Sequence, residues 1–408
     1  MKPKALEGLR VLELGQLIAG PSAGRLFAEF GAEVLKIENP KEGDALRKWR
    51  IIENGTSLWW YVQGRNKKSV SIDLREPEGQ EIIRKLASEI DIIIENFRPG
   101  TLEKWGIGYE DLKSINPKII MIRISGYGQD GPYKDKPGFG SIGEAMGGLR
   151  YLTGDPDRPP TRVGVSIGDS ISSLYAVIGA MMAVYHRDVK GTGIGQFVDV
   201  ALYESVFSVM ESMLPEYDRA GVIRERSGSR LPGITPSNTY LCKDGKYVVI
   251  GANGDGIFKR LMQTIGQPEL AEDSRYQNNA LRSDHADFLD STIEEWTKSM
   301  ELEKVLSILD EAKVPAGSIY SIEDIVNDPH YHARGMIREV EVEEIGTLKV
   351  PGIVPKLSET PGTIDWVGPK VGQHNEEVLT KILGRDEYKD LTSKGIIGNV
   401  EEKSSIKN

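Results

Sequence analysis

The chain has 408 residues, enough for two domains or one elaborated domain, and its 39% apolar and 27% charged residues can build a large core. A net charge of −10 argues against nucleic acid or an anionic membrane surface as partner. Cys242 is the single cysteine, which excludes an intramolecular disulfide and fits a reducing cytoplasm.

In chain order, Val11–Leu14 reads as a buried strand, followed by Gly15, Gly20 and Gly24, with Pro21 and Ser22 opening a helix through Phe30. Glu33–Ile37 is a second strand, completing a βαβ unit. Val70–Asp73, Asp91–Ile94 and Ile119–Ile124 read as further strands, with a helix from Pro77 through Ala87 between two of them. Strands alternating with helices predict a parallel, helix-covered, Rossmann-like sheet of α/β class. A turn-rich loop follows Tyr127, and Glu144–Leu149 reads as a short helix. Val163, Val165 and Ile167 alternate as in a half-buried strand that ends at Gly168. Asp169 would then open a long apolar helix, where a carboxylate meets free N–H groups, as an ordinary cap or as something more. The apolar core of that helix, Leu174–Tyr185, is too short to span a bilayer and reads as buried. The N-terminus carries no apolar signal run.

Gln196–Asp199 begins another strand-to-helix step, and Arg219–Pro236 reads as a connector. Asp244-Gly245 marks a hairpin between Thr239–Leu241 and Tyr247–Ile250. Helices near 255–265, 283–299 and 301–312 and a strand at Val314–Tyr320 complete a smaller α+β domain over 222–325. Residues 1–221 and 326–408 form the large domain. Val340–Val350 is a hairpin broken at Gly346, and Glu401–Asn408 reads as a frayed end.

The glycines at 15, 20 and 24 miss the G-x-G-x-x-G spacing, which argues against a dinucleotide site. Lys36, Arg65, Lys67, Lys68, Arg75, Arg98 and Lys104 gather at or beyond the carboxyl ends of the first strands, where open α/β sheets place ligands. An acidic protein that concentrates cations there is expected to hold phosphates, although Lys67 and Lys68 also fit an ordinary solvated surface. Among the five histidines only His330 and His332 are close, so no metal site is expected. No G-x-S-x-G elbow supports a serine hydrolase.

Leu6-Glu-Gly-Leu-Arg-Val-Leu-Glu-Leu14, Ala19-Gly-Pro21, Gly31-Ala-Glu-Val-Leu-Lys-Ile-Glu38, Gly43-Asp44, Asn66-Lys-Lys-Ser-Val-Ser-Ile-Asp-Leu74, Glu95-Asn-Phe-Arg-Pro-Gly100, Ser125-Gly-Tyr-Gly128 and Gly168-Asp169 resemble the class III coenzyme A transferases (CaiB/BaiF), from residue 6 towards the C-terminus. The resemblance implies an interlocked homodimer, with a paralogous second subunit in some relatives, and Asp169 as nucleophile. It places Leu17, Ile18, Ala19, Ile72, Arg75, Asn96, Phe97, Arg98 and Lys104 around CoA. Lys136 joins them, as does Asn39, where some relatives carry an arginine near the adenine. It implies CoA and acyl-CoA as substrates, with no tightly bound cofactor. An aspartate suits the chemistry, because a mixed anhydride and an aspartyl thioester both keep the acyl group activated. Gly251, Gly254 and Gly256, or Gly228 and Gly233, are the candidates for oxyanion contacts.

Racemases of the same fold would need an imidazole where Phe139 stands. Gly143-Glu-Ala-Met-Gly-Gly148 resembles transferases that pair succinyl-CoA with dicarboxylic or aryl-succinic acids. The expectation is therefore CoA transfer in the cytoplasm. Racemization and non-catalytic CoA or nucleotide binding are the alternatives.

Overall fold

The computed structural model describes residues 3–399, so the expectation for Glu401–Asn408 lies outside the described residues. Two compact units form. The first contains the chain through Leu149, Val163–Leu214 and the chain from Ala333 onward; the second contains Arg150–Arg162 and Pro215–His332.

The first unit is built on six parallel strands: β1 (Arg10–Glu13), β2 (Glu33–Glu38), β3 (Lys67–Ser71), β4 (Ile92–Glu95), β5 (Ile120–Ser125) and β6 (Phe197–Ala201). Their spatial order is β3-β2-β1-β4-β5-β6, so the chain reverses direction across the sheet between β1 and β4. Leu12 stands beside Leu35 on one side and Ile93 on the other. The central strands β4 (Ile-Ile-Ile-Glu) and β5 (Ile-Met-Ile-Arg-Ile-Ser) are nearly continuous apolar runs because both of their faces are covered, whereas the edge strand β3 reads Lys-Lys-Ser-Val-Ser. Val11, Ile92, Ile94, Ile120 and Ile122 face one core, while Leu12, Leu35, Ile93 and Met121 face the other.

Helices α1 (Ala19–Glu29), α2 (Leu58–Gln63), α3 (Pro77–Ala87) and α4 (Tyr109–Ile115) lie between successive strands, and α5 (Gly140–Met146) and α6 (Ile167–Val184) lie between β5 and β6. Helix α1 and the small residues Ala176, Ala180 and Ala183 of α6 line one core; Ile82, Ile83 and Leu86 of α3 and Leu379 of α10 (Asn375–Leu383) line the other. Helices α7 (Asp255–Thr264), α8 (Ala286–Lys298) and α9 (Leu302–Glu311) belong to the second unit.

Two expectations around Asp169 fail. Val163–Ile167 forms no strand: the backbone bends at Gly164–Val165, Val165 is 57% exposed, and α6 starts at Ile167. Alternation makes a strand only where a neighbour pairs with it, and the ends of this sheet are β3 and β6. Nor is α6 buried all round. It runs on through a π-helical turn, and the continuous helix Ile167–Val189, 23 residues with an 18-residue stretch of mean hydropathy 1.5, is long and apolar enough to cross a membrane by length and composition. Its small residues pack inward while Leu174, Ile178, Met182 and Tyr185 are exposed.

The second unit is an antiparallel sheet of Ser237–Leu241, Tyr247–Gly251 and Ala316–Ser318. Its core is filled from α7 (Asp255–Thr264), α8 (Ala286–Lys298) and α9 (Leu302–Glu311). Residues 222–325 lie inside it. Arg150–Arg162 also belongs here: the Gly228 N–H donates to the Gly154 carbonyl at 3.1 Å and the Tyr151 hydroxyl to Glu225 at 2.5 Å.

Candidate active site

In an open parallel sheet the crevice at the carboxyl ends of the strands, where the order reverses, is the place for a ligand. Here a cavity of about 250 Å³ opens there, lined by Gln16 after β1, Asn39 after β2, Ile72 and Arg75 after β3, and Phe97 after β4. Four of the residues expected around CoA thus meet in one cavity: Asn39, Ile72, Arg75 and Phe97. Trp105 completes a wall, its ring edge-on to Phe97 at 5.4 Å. Arg75 stands at the rim with its guanidinium on Asp73, at 2.9 and 2.6 Å.

The cations divide in a way that charge counting does not reveal. Lys36, Arg65 and Lys67 are buried and serve the interior. Lys36 pairs with Asp44 at 2.8 Å and Glu13 at 3.3 Å, Lys67 with Glu13 at 2.7 Å, and Arg65 with Glu29 at 2.5 Å. The surface reading of Lys67 is therefore wrong, because Glu13 supplies the counter-charge that allows burial. Burial lowers the Lys67 ammonium to about 8, whereas Asp44 and Glu13 outweigh the same burial at Lys36 and raise it to about 12. Lys68 is tied to Glu33 and Glu377. Arg98 and Lys104 are exposed, and among the described residues neither is in an ion pair, which leaves both open to an anionic ligand. Lys136 is also exposed and sits 3.6 Å above the Tyr133 ring.

The glycines after β1 have a steric cause. A Cβ on Gly24 would fall 1.8 Å from the Glu13 carboxylate, and one on Gly15 would fall 2.8 Å from the Asn96 amide oxygen. They make room for the buried Glu13 carboxylate and the half-buried Asn96 amide, which accounts for them without a pyrophosphate. Asn96, expected at the ligand, spends its amide on the Gln16 peptide.

Asp169 lies in the first turn of α6, inside the helix and not at its cap, and is half-buried. The N-terminal turn offers a carboxylate a favourable field. Its carboxylate rests on Gly140, where a Cβ would come within 2.0 Å of Oδ2. Phe139, next in the chain, is 69% exposed. Ser173, one turn beyond Asp169, has its hydroxyl 2.7 Å from the Asp169 carbonyl and 2.7 Å from the Ala19 carbonyl. This buried hydroxyl joins the Asp169 turn to Ala19, the first residue of α1, directly after Leu17 and Ile18. Ser173 went unnoticed in the sequence; a small polar residue four positions after Asp169 was the available signal. Gly251, Gly254, Gly256, Gly228 and Gly233 all lie in the second unit.

Fold and site together define a doubly wound α/β protein with a switch-point cleft and a carboxylate at a helix start. Residues 6–375 match the model of CoA-transferase family III, and the chain belongs to that family. It is 51% identical over 398 residues to the succinyl-CoA–D-citramalate CoA-transferase of Chloroflexus aurantiacus, covering 97% of this chain and 98% of that one. It is 43% identical to the β subunit of the succinyl-CoA–L-malate CoA-transferase of the same organism, covering 96% and 98%. A crystal structure of a CaiB/BaiF family protein from Brucella suis superposes with a TM-score of 0.81 at 34% identity, covering 93% of this chain and all of that one.

Proposed function

We propose that this CoA-transferase moves CoA from succinyl-CoA to a short dicarboxylic acid, with Asp169 as nucleophile. The Asp169 carboxylate attacks the thioester carbon, and the C–S bond breaks to give a mixed anhydride and CoA thiolate. The thiolate attacks the aspartyl carbonyl, freeing succinate and leaving an aspartyl thioester. The acceptor carboxylate then displaces CoA from that thioester to form a second anhydride. The thiolate attacks its acceptor-side carbonyl, which yields the new acyl-CoA and restores Asp169. No proton is gained or lost overall, and each intermediate stays activated if water is excluded.

The observation that carries this reading is the half-buried Asp169 carboxylate, held against Gly140 at the start of a helix and joined through Ser173 to Ala19 at the start of α1. Phe139, beside Gly140, offers no imidazole for racemization. The similarity to a succinyl-CoA–D-citramalate and a succinyl-CoA–L-malate CoA-transferase of Chloroflexus supports the succinyl donor and the dicarboxylate acceptor. In this reading Ile72 and Phe97 flank the adenine end, with Asn39 and Arg75 nearby, while Arg98 and Lys104 meet phosphates. We place the enzyme in the cytoplasm as an interlocked homodimer, with the exposed apolar face of α6 against the second copy.

The test is incubation with succinyl-CoA and malate, citramalate, glutarate or benzylsuccinate, with new thioesters read by mass. At least one acceptor should be converted, and Asp169→Ala should lose about four orders of magnitude or more in turnover. Turnover retained by that variant rules out the nucleophile. Solvent deuterium appearing at Cα without acyl exchange would favour racemization.

A further inference from the structure

Every peptide of the loop Gly15–Ile18 is held by a side chain from elsewhere in the sequence. Lys36 donates to the Gly15 carbonyl. Asn96 exchanges two hydrogen bonds of 2.8 Å with the Gln16 peptide. The Leu17 N–H donates to the Asp44 carboxylate, at 3.1 and 3.3 Å from its oxygens. Gln63 reaches the Leu17 carbonyl at 3.4 Å, the Ile18 carbonyl at 3.2 Å and the Ser22 hydroxyl at 2.9 Å.

Leu17 needs this support. Its φ of 67° is left-handed, a region that residues with a Cβ rarely occupy. Such a conformation persists only where the surroundings over-determine it, and it clusters at functional sites. Asp44 is itself fixed from behind. Lys36 pairs with it at 2.8 Å, its own N–H donates to Glu38 at 2.8 Å, and it caps the following turn by accepting from Leu46 at 2.9 Å. Lys36 also touches Glu13, which Lys67 shares, and Lys67 donates to the Pro21 carbonyl at 2.7 Å, one turn into α1. A buried, charge-balanced cluster of this kind adds little net stability compared with apolar packing. What it does supply is directed hydrogen bonding at one strained loop.

We propose that Asp44 is a positioning residue for CoA: backed by Lys36, it holds the Leu17 peptide left-handed and so presents Leu17–Ala19 to the CoA thioester. This rests on reading the switch-point cleft as the CoA site. Asp44 accepts only from the protein and acts through the loop.

The experiment measures the dissociation constant of CoA by calorimetry, together with KM and kcat for succinyl-CoA. The proteins are the wild type, Asp44→Asn, Leu17→Gly and the double variant, each checked for a native melting curve. Asp44→Asn keeps the size but loses the charge that Lys36 faces. It should raise the dissociation constant and KM about tenfold, with kcat within about twofold. Glycine takes the left-handed conformation without cost, so in the Leu17→Gly background the same change should weaken CoA by no more than about twofold.

Equal factors in the two backgrounds overturn the proposal. If Asp44→Asn does not fold, Asp44→Glu, which keeps the charge that Lys36 faces but displaces the carboxylate from the Leu17 N–H, replaces it in the same pair of backgrounds, and equal factors there overturn the proposal as well. A wild type that binds no CoA overturns the reading of the cleft, and this role with it. A wild type whose binding is equalled by the variants overturns the positioning role alone.

Discussion

Glu95 shows at residue scale how burial turns a side chain into a pH sensor. It ends β4, pairs with Arg123 at 2.9 Å and accepts the Phe97 N–H at 2.8 Å beneath the cleft. Burial nevertheless prevails and raises its carboxyl to about 7, above the ordinary 4.5. Between those two values the folded chain holds the proton that the unfolded chain has released. Stability attributable to Glu95 therefore falls as pH rises through about 4.5 to 7 and is level above that. Glu95→Gln should remove this part of the slope, since Arg123 keeps Glu103 at 2.8 Å. Urea midpoints at pH 5.5 and 7.5 for both proteins test this; an unchanged difference between the two pH values refutes the shift. Sequence alone could not reveal it. The Glu95-Asn-Phe-Arg-Pro-Gly100 motif marked the turn, but a carboxylate looks the same buried or solvated. Lys36 and Lys67 were missed as structural groups for the same reason, while Asp169 stood out because a glycine before it and an apolar helix after it are local signals.

At the scale of elements, α1 lies close over β1 because Gly24 faces Glu13. An exposed glycine inside a helix gains about 1 kcal/mol of stability when replaced by alanine. Here the sign should reverse. The new methyl group would fall 1.8 Å from the Glu13 carboxylate, and Glu13 cannot yield without disturbing Lys36 and Lys67. Gly24→Ala should destabilise the chain by about 2 kcal/mol or more, in the range of an overpacked core. A midpoint at or above that of the wild type in chemical unfolding would show that α1 can lift away freely. The central strands β4 and β5 were legible because burial on both faces writes an apolar run into them. The expected strand at Val163–Ile167 was not one, because pattern records which side chains alternate and not whether a neighbouring strand is there to pair. Arg150–Arg162 was placed with the large domain for a related reason: its bonds to Gly154 and Tyr151 come from residues some 70 positions away.

At the scale of the whole molecule, the outward face of α6 is an exposed apolar surface suited to association. Helix α6 and the π-helical turn that continues it carry two sets of residues: small ones, Ser172, Ser173, Ala176, Ala180 and Ala183, packed inward, and large ones, Leu174, Ile178, Met182 and Tyr185, facing out. Met182 is 66% exposed and Ile178 48% exposed. Contiguous apolar exposure on this scale marks an interaction surface. If the proposed homodimer buries it, a charge placed at its centre should weaken the dimer without unfolding either copy, because neither residue belongs to the buried core. Met182→Glu and Ile178→Glu together should therefore shift the chain from about twice the monomer mass towards the monomer in light scattering at micromolar concentration. The far-ultraviolet circular dichroism should be unchanged. The face that the charges disrupt is the back of the helix that carries Asp169 in its first turn. Loss of transferase activity in step with loss of the dimer, recovered at high protein concentration, would tie assembly to the site. A variant that stays dimeric would place the interface on another face.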